Sequence, residues 1–325
     1  MTVRFVLALC AALLVGCSGK SDTPAGPKKL RIVVIPKGLT HDFWKSVHHG
    51  AARAAQKYDV DLAWEGPVQE NDTDSQIRIV ENAITKRYDG ICLAPNEKTA
   101  LIDVVDRAKA KKIPTVIFDS GLESPESIVS YVATDNTRGG VLGAQTLAKA
   151  MKEEGDVILL RYKVGSQSTH AREEGFLEEL KKYPKIKVLS SDQYSGATRD
   201  TSLSQCQSLL LKYGDQVDGM FAVAEPNGLG MFAALEEKNL AGKVKFVSFD
   251  ASGRLTEAMA ADKMQGCVLQ DPDTMGYLAV ETMVKHLRGE KVEKIISTGE
   301  YVATPENMNT PEMKRLLEPP VFSEK

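Results

Sequence analysis

The sequence predicts an α/β protein with two lobes, each built on a doubly wound parallel sheet. Three observations lead to this prediction. Apolar runs of strand length alternate with segments of helical period along the 325-residue chain. The runs are continuous rather than alternating, which is typical of strands covered by helices on both faces. Ten such strands divide better into two sheets of five or six than into one.

The predicted strands are spaced so that a helix fits after most of them. In chain order they are LRIVVI (30–35), VDLAWE (60–65), GICLAP (90–95), PTVIFD (114–119), SIVSYVAT (127–134), DVILLR (156–161), IKVLSS (186–191), GMFAVA (219–224), KFVSFD (245–250) and GCVLQ (266–270). Strand, helix and strand repeated in this way give right-handed crossovers and a doubly wound sheet.

Two of the intervening helices carry a clear apolar face. Apolar residues recur at helical spacing in both: Ile77, Val80 and Ile84 within residues 74–88, and Leu101, Val104, Val105 and Ala108 within residues 99–112. We expect both helices to cover one face of a sheet.

The pattern of residues 1–17 predicts a secretion signal. Residues 1–17 begin with Met-Thr-Val and one basic residue, Arg4, followed by the apolar run FVLALCAALLVG and Cys17. A run of this length is too short for a permanent membrane span. The last four residues, LVGC, resemble the lipobox of bacterial lipoproteins, which implies an extracytoplasmic protein anchored to a membrane by a lipid on Cys17. The alternative is a signal cleaved elsewhere. Residues 18–29 are rich in Ser, Gly, Pro and Lys and predict a flexible tether.

Composition argues against several classes of protein. The formal net charge of the chain is −3. Without an excess of positive charge the chain does not attract a polyanion, so no nucleic acid is predicted as a partner. The remaining cysteines, Cys92, Cys206 and Cys267, lie in apolar segments without CxxC spacing, so buried thiols are expected rather than a zinc site or disulfides. The pair His48 and His49 has no further ligand at metal-binding spacing and is interpreted as a surface pair. No cofactor or metal is predicted.

Polar and aromatic side chains stand at the carboxyl ends of five predicted strands. They are His41, Asp42, Phe43 and Trp44 after the first strand, Asp119 and Ser120 after the fourth, Ala224, Glu225 and Pro226 after the eighth, Asp250 after the ninth and Gln270 after the tenth. Each group alone could be a turn former, a helix cap or a core contact. Ligands of open α/β sheets collect at this edge, so the recurrence favours a binding site.

These motifs resemble, in the same order, those of the ribose-binding-protein type of bacterial periplasmic sugar-binding proteins, the substrate-capturing subunits of ABC importers. The matching stretches are THDFWKSVHHGAARAA, IPTVIFDS, ATDNTRGGVLGAQTLA, HAREEGF, VSFDAS and VLQDPDTMGYLAVE. The likeness extends from about Leu30 to about Thr304. It implies the type I periplasmic binding protein fold, with HAREEGF carrying the family's ligand-contacting arginine at Arg172.

The resemblance implies a sugar site in the cleft between the lobes. Its candidate residues are His41, Phe43, Trp44, Asp119, Ser120, Arg172, Glu225, Asp250 and Gln270. The two aromatic rings would cover a face of the sugar, while carboxylates accept from hydroxyls and the Arg and Gln donate. For Arg172, the alternative is an exposed helical residue paired with Glu173 or Glu174.

Three positions depart from the pattern of the ribose binders. Ser120 stands where the family commonly has Arg, Ala224 stands where the ribose binders have Asn, and their second-lobe aromatic falls at Ala197. Ribose itself is therefore not favoured, and another pentose, a hexose, inositol or a related polyol remains open.

The resemblance implies that each lobe is built from two separate parts of the chain and that a three-segment hinge joins the lobes. The N-terminal lobe is predicted to comprise residues 30–133 and 271–298, and the C-terminal lobe residues 134–270 and 299–325, with crossings near Thr134, Gln270 and Thr298. Since candidate contacts come from both lobes, we expect closure of the cleft on a bound sugar. A monomer is expected.

The expected partner is the permease of an ABC importer, although a chemoreceptor or sensor kinase remains open. A glycosidase using Asp119, Glu225 and Asp250 is the enzyme alternative, but no Ser-His-Asp order, phosphate loop or metal cluster accompanies them. A regulator of the lactose-repressor type would need a helix-turn-helix before Leu30, where the secretion signal stands instead. The chain is therefore predicted to be a binding protein and not an enzyme.

Overall fold

The computed structural model describes residues 29–323. The predicted signal peptide, Cys17 and residues 18–28 lie outside the described residues. In chain order the elements are β1 (Arg31–Ile35), α1 (Asp42–Tyr58), β2 (Asp61–Trp64), α2 (Thr73–Thr85), β3 (Gly90–Leu93), α3 (Ile102–Ala110), β4 (Thr115–Phe118), β5 (Ser130–Ala133), α4 (Asn136–Ala150), β6 (Glu154–Leu160), α5 (Gln167–Leu180), β7 (Lys185–Ser190), α6 (Arg199–Tyr213), β8 (Gly219–Ala222), α7 (Glu225–Glu237), β9 (Lys245–Phe249), α8 (Gly253–Ala260), β10 (Gly266–Leu269), α9 (Pro272–Leu287), β11 (Ile295–Ser297), β12 (Tyr301–Ala303) and α10 (Pro311–Leu317).

The strands form two six-stranded sheets, one in each lobe. The first has the order β11-β5-β4-β3-β1-β2 and the second the order β12-β10-β9-β8-β6-β7. All pairs are parallel except β10 with β12, which is antiparallel. The predicted fold class, two doubly wound parallel-sheet lobes, is confirmed. The ten predicted strands are present, while β11 and β12 were not predicted because each has only three residues.

Helices cover both faces of each sheet, which explains the continuous apolar runs. In β1, Ile32 and Val34 pack in one layer with α1 and α9, whereas Val33 and Ile35 pack in the opposite layer with α2 and α3. All four side chains are fully buried, because successive residues of a strand point to opposite faces. The strand β6 repeats this division in the second lobe.

The apolar face of α2 differs slightly from the prediction. Val80 and Ala83 are fully buried at its centre, whereas Ile77 and Ile84 lie at its partly buried margins. The helix also buries Gln76, whose amide group donates to the carbonyl oxygens that follow β1 and β3. This polar contact fixes the two strand ends that open towards the space between the lobes.

Close helix crossings in both lobes depend on glycine. A Cβ on Gly50 of α1 would lie 1.8 Å from the carbonyl oxygen of Asp273 in α9. In the second lobe, a Cβ on Gly140 of α4 would lie 2.0 Å from the carbonyl oxygen of Arg172 in α5. The backbone that carries Arg172 is therefore held against α4 at a distance that only glycine permits.

The chain crosses between the sheets three times. It passes from β5 to α4, which packs on the second sheet, returns from β10 to α9, which packs on the first, and crosses again between β11 and β12. The buried hydroxyls of Thr134 and Thr298 lie 3.3 Å apart, so the first and third crossings run side by side.

The described residues after α10 contact the first lobe, although the sequence predicts that residues 299–325 belong to the C-terminal lobe. Helix α10 packs into the core of the second lobe. Beyond it, the Phe322 backbone N–H donates to the Lys45 carbonyl oxygen at 3.0 Å. Its ring stacks on His48 with centroids 3.7 Å apart, and His48 stacks on Trp64 at 4.3 Å. Stacking of this partly buried ring on His48 holds the tail against α1 of the first lobe.

His48 is therefore a stacked, half-buried residue rather than a freely exposed one, and its neighbour His49 contacts Asp273 at 2.7 Å. Among residues 29–323, no cluster of ligating side chains is suited to a metal ion. The same residues include no helix long and apolar enough to cross a membrane. Cys92, Cys206 and Cys267 are buried free thiols, as the sequence predicts.

The His48 stack makes stability depend on pH. Burial lowers the pKa of His48 from 6.5 to about 4. Between these two pH values His48 is therefore protonated in the unfolded chain but not in the folded chain. This contribution to stability is complete above pH 6.5 and is lost as the pH falls towards 4. His48→Phe keeps a stacked ring without a titrating group. Between pH 7 and 5, its free energy of unfolding should fall by about 1 kcal/mol less than that of the wild type. Urea denaturation at both pH values measures it, and equal losses in both proteins would contradict it.

Candidate ligand-binding cavity

A small cavity of about 30 Å³ lies between the lobes. Its lining comes from both sides. The first lobe contributes Lys37, His41, Phe43, Trp44, Glu70 and Asp119; the second contributes Tyr162, Ser168, Thr169, Arg172, Ala224, Glu225, Pro226 and Asp250; and Gln270 lies at the second crossing. We refer to this space as the cavity.

Eight of the nine candidate site residues line the cavity, namely His41, Phe43, Trp44, Asp119, Arg172, Glu225, Asp250 and Gln270. Ser120 is the exception. It is fully buried beside the cavity, and its hydroxyl accepts a hydrogen bond from the Ser168 backbone N–H at 3.2 Å. Ser120 therefore joins the two lobes without facing the enclosed space.

Sequence reasoning missed several lining residues, chiefly Lys37, Glu70, Tyr162, Ser168 and Thr169. Lys37 and Tyr162 each follow a strand by two residues, so the strand-end criterion could have found them. Glu70 lies in the loop after β2, where the sequence gives no such signal. Ser168 and Thr169 lie on the first turn of α5.

The two lobes present an aspartate in the same way. Asp119 follows β4 with φ of 61°, and Asp250 follows β9 with φ of 69°. Each backbone N–H still bonds to the neighbouring strand, Asp119 to the carbonyl oxygen of Val132 and Asp250 to that of Val268. The left-handed conformation turns the chain sharply at the strand end, and Asp tolerates it better than most residues. Both carboxylates are thus brought into the cavity.

Lys37 joins Asp119 to the second lobe. Its Nζ lies 2.8 Å from Asp119 Oδ2 and donates to Ser168 Oγ at 2.9 Å. The side chains of Lys37 and Asp119 are only 5% and 4% exposed, so each charge needs the other. The ion pair is not an aligned hydrogen bond, and Asp119 Oδ2 has no such bond within residues 29–323. It can therefore still accept from a ligand hydroxyl.

Glu70 is the acceptor for three surrounding groups. Its Oε1 accepts from the Trp44 indole N–H at 2.8 Å and lies 3.0 Å from His41 Nδ1. Its Oε2 accepts from the Tyr162 hydroxyl at 3.1 Å, across the gap between the lobes.

The charge state of Glu70 follows from these contacts. Burial alone would raise the pKa of Glu70, but the hydrogen bonds and the charges of His41 and Lys37 outweigh it and hold the pKa at about 2. Burial alone would lower the pKa of His41, yet Glu70 raises it above 6.5. An ionised carboxylate thus fixes Trp44 and His41 at the cavity wall.

Arg172 is held rigidly on the second lobe. Its Nε donates to Asn136 Oδ1 and its Nη1 to the Val223 carbonyl oxygen, both at 2.8 Å. The guanidinium lies 3.7 Å from the centre of the Phe249 ring and 3.6 Å from Asp250 Oδ2. Pairing with Glu173 and Glu174, the alternative raised from the sequence, is made by Arg161 instead. Arg172 is therefore a pre-organised donor.

Asp250 and Gln270 form the wall next to Arg172. The Gln270 amide group donates to Asp250 Oδ1 at 2.6 Å, and Gln270 Oε1 is buried without a partner in the described part of the chain. Burial raises the pKa of Asp250, although Arg172 and Gln270 oppose this. An unpaired amide oxygen facing a cavity suits a hydroxyl donor.

Glu225 closes the cavity from the start of α7. Its Oε2 accepts from the Phe43 backbone N–H of the other lobe at 3.2 Å, and its own N–H donates to Asp250 Oδ2 at 3.3 Å. Burial, with the nearby charges of Asp250 and Asp42, raises the pKa of Glu225 to about 7, against the opposing effects of His41 and the Phe43 N–H.

The two aromatic rings meet edge to face at the cavity. The ring centres of Phe43 and Trp44 lie 4.9 Å apart, and Trp44 makes a second edge contact with Phe118 at 6.3 Å. Trp44 is only 3% exposed, whereas Phe43 is half-buried. Packing and the bond to Glu70 therefore fix the indole, while the Phe43 ring borders the open space.

The lobes are in direct contact around the cavity. Besides the bonds from Lys37, Tyr162 and Phe43, the Lys163 Nζ donates to the Asn96 carbonyl oxygen at 2.6 Å. The Gly121 backbone N–H donates to Gln167 Oε1 at 3.1 Å. The structure is thus that of a closed cleft.

Comparison with known proteins places this arrangement in context. A family model described as a periplasmic binding protein domain matches residues 32–291. The chain is 28% identical over 291 residues to the ribose import binding protein of Haemophilus influenzae, covering 90% of this chain and 96% of that protein. It is 28% identical over 293 residues to the xylitol-binding protein of Mycolicibacterium smegmatis, covering 88% and 81%.

Solved structures give the same result. A carbohydrate transporter solute binding protein from Agrobacterium radiobacter, in complex with D-arabinose, superposes with a TM-score of 0.85 at 34% identity, covering 89% of this chain and 99% of that chain. An ABC transporter solute binding protein from Agrobacterium vitis, with bound D-fucose, has a TM-score of 0.85 at 33% identity, covering 89% and 100%.

Removing the charge of Glu70 tests its role as an acceptor. Glu70→Gln should lower the free energy of unfolding at pH 7 by about 1–3 kcal/mol, because His41, Trp44 and Tyr162 lose a charged acceptor. The wild-type advantage should be complete above pH 4.5 and shrink as the pH falls towards 2, where the carboxylate is protonated in both states.

Urea denaturation at pH 7 and pH 3 measures this difference. Asp106→Asn, at an exposed position of α3, is the matched control and should show little difference at either pH. An advantage that is equal at both pH values would contradict the ionised state of Glu70.

Proposed function

The chain belongs to the periplasmic binding protein family, and on this premise we propose that it captures a monosaccharide or related polyol between its lobes and delivers it to an ABC importer. The observation that carries the proposal is the lining of the cavity, since buried carboxylate, guanidinium and amide groups from both lobes converge there. The chain is a binding protein and not an enzyme, as its relatives are sugar-binding transport proteins.

The chemistry of the cavity supports a polyhydroxylated ligand. A sugar presents hydroxyls around its rim and C–H groups on its faces. Asp119 Oδ2 and Gln270 Oε1 are buried acceptors without hydrogen-bond partners among residues 29–323, and hydroxyl donors would satisfy both. Phe43 offers an apolar surface beside them. The ligands of the relatives, ribose, xylitol, D-arabinose and D-fucose, share this chemistry.

The departures from the ribose binders leave the identity of the sugar open. Ser120 bonds to the second lobe instead of facing the cavity. At position 197 the second lobe has alanine instead of an aromatic residue. Tyr162 is the aromatic residue of this lobe that lines the cavity, and its hydroxyl donates to the Ala197 carbonyl oxygen at 3.4 Å. Ala224 and Glu225 replace an amide by a methyl group and a carboxylate. We propose a pentose, hexose or polyol other than ribose.

Ligand binding would stabilise the closed cleft. Contacts such as Glu70 with Tyr162 and Glu225 with Phe43 join the lobes only when the cleft is shut, and a sugar held by both lobes adds to them. The closed surface would then be recognised by the permease, with a chemoreceptor or sensor kinase as the alternative partner. In this proposal the protein is an extracytoplasmic monomer, attached to the membrane by a lipid on Cys17.

A thermal-shift screen over neutral monosaccharides and polyols tests the proposed ligand class. A ligand at 100 times its dissociation constant adds about 2.7 kcal/mol to stability. With the best ligand, Asp250→Asn should bind about 10- to 100-fold more weakly, because a charge-assisted bond contributes about 1.5–3 kcal/mol. Asn keeps the shape and the left-handed backbone of Asp, so the fold should persist.

The matched control is Asp106→Asn, which lies on the outer surface of the first lobe and should bind like the wild type. Calorimetric titration measures all three proteins. Failure of every monosaccharide and polyol, amino sugars included, to stabilise the wild type would overturn the proposed function, as would equal affinities in the Asp250→Asn variant and the wild type.

Closure on binding is tested separately by small-angle X-ray scattering. The best ligand should reduce the radius of gyration of the wild type, because the ligand bridges both lobes. Asp250→Asn at the same ligand concentration should change less, in proportion to its lower occupancy. A radius that stays constant at saturation would contradict closure while leaving binding itself intact.

A further inference from the structure

The ionisable groups of the cavity do not balance. Four carboxylates line it, Glu70, Asp119, Glu225 and Asp250, against three basic side chains, Lys37, His41 and Arg172. Three pairs account for all the basic groups. Lys37 lies 2.8 Å from Asp119, His41 lies 3.0 Å from Glu70 and Arg172 lies 3.6 Å from Asp250.

Glu225 is the carboxylate left over. Among residues 29–323, no Lys, Arg or His nitrogen lies within the 4.0 Å of an ion pair with it. It is only 6% exposed. The Phe43 N–H bonds to Oε2 at 3.2 Å, and the N-terminus of α7 adds a partial positive charge. Neither supplies a full compensating charge, and burying an unpaired carboxylate is costly.

Two species could offset this charge when the cleft is closed, a proton or a cation on the ligand. Burial raises the pKa of Glu225 to about 7, so near neutral pH the proton is only loosely held. His41, Asp42 and Asp250 are charged neighbours that act on it, and Lys45 of α1 interacts with it more weakly, beyond ion-pair distance. A ligand cation next to Glu225 would meet the one carboxylate of the cavity lining that has no basic partner among residues 29–323.

We propose that the cavity is adapted to a polyhydroxylated ligand that carries a protonated amine, an amino sugar or amino polyol, with its ammonium group against Glu225. This inference rests on the proposed function, which supplies the hydroxyl-binding part of the cavity, and adds the charge of the ligand. An ammonium group donates to carboxylate oxygens and cancels the excess negative charge. A neutral sugar leaves that charge unpaired or requires Glu225 to take up a proton.

Matched ligands test the inference without any mutation. The probes are D-glucosamine, D-galactosamine and D-mannosamine, their N-acetyl forms and their neutral parent sugars, together with glucamine and its neutral counterpart sorbitol. Calorimetric titration at pH 7.5 should show at least one hexosamine that binds about 10-fold or more tightly than both its acetylated and its neutral counterpart, because only the amine form can make an ion pair with Glu225.

Glu225→Gln then locates the preference. The variant keeps the size of the side chain and should lose the preference for the amine, so that the amine and its neutral parent bind to the variant with affinities within about 3-fold of each other. Glu237→Gln, at the exposed end of the same helix, should keep the preference. Circular dichroism and thermal denaturation check that both variants are folded.

The outcomes separate the two proposals. If neutral sugars bind as tightly as the matching amines to the wild type, the inference is overturned and the proposed function stands. If an amine is preferred but Glu225→Gln retains that preference, the inference is also overturned, because the cation then lies elsewhere. If no sugar, polyol or amino sugar binds, the proposed function fails together with it.

Discussion

The structure depends on burying ionised side chains in a closed space between two lobes. A charge removed from water is stable only with a partner and aligned hydrogen bonds, and here several of these partners lie on opposite lobes. Glu70 accepts from Tyr162, Lys37 donates to Ser168, and Glu225 accepts from the Phe43 backbone. The same groups that line the cavity therefore hold it shut, so ligand contacts and lobe contacts are made by one set of side chains.

Both lobes place these groups in the cavity through the same backbone features. Each ends a central strand in an aspartate with positive φ, Asp119 and Asp250, and each joins two helices through a crossing that only glycine permits, at Gly50 and Gly140. The similarity lies in backbone geometry, which is why no residue-level repeat is visible in the sequence. The lobes differ in the basic side chain next to this aspartate, which is Lys37 for Asp119 and Arg172 for Asp250.

The sequence predicted the fold class and the ten longer strands because continuous apolar runs record strands that are buried on both faces. It could not predict β11 and β12, which are too short to leave a pattern. Strand-end reasoning identified seven of the candidate residues that line the cavity, and the family resemblance added Arg172. Strand-end reasoning also included Ser120, whose hydroxyl turns towards the second lobe. It also passed over Glu70, because a loop residue acquires its role only when His41, Trp44 and Tyr162 converge on it. The unpaired state of Glu225 likewise depends on distances that a sequence does not contain.

The indole N–H signals of the two tryptophans test the central claim, that a ligand occupies the cavity between the lobes. Trp44 donates to Glu70 at the cavity wall, whereas Trp64 stacks on His48 away from it. Uniformly ¹⁵N-labelled protein should be titrated with the sugar that stabilises it most. We expect the Trp44 indole signal to shift in proportion to occupancy and the Trp64 signal to shift much less. Saturation by a stabilising sugar that leaves the Trp44 signal in place would contradict the claim.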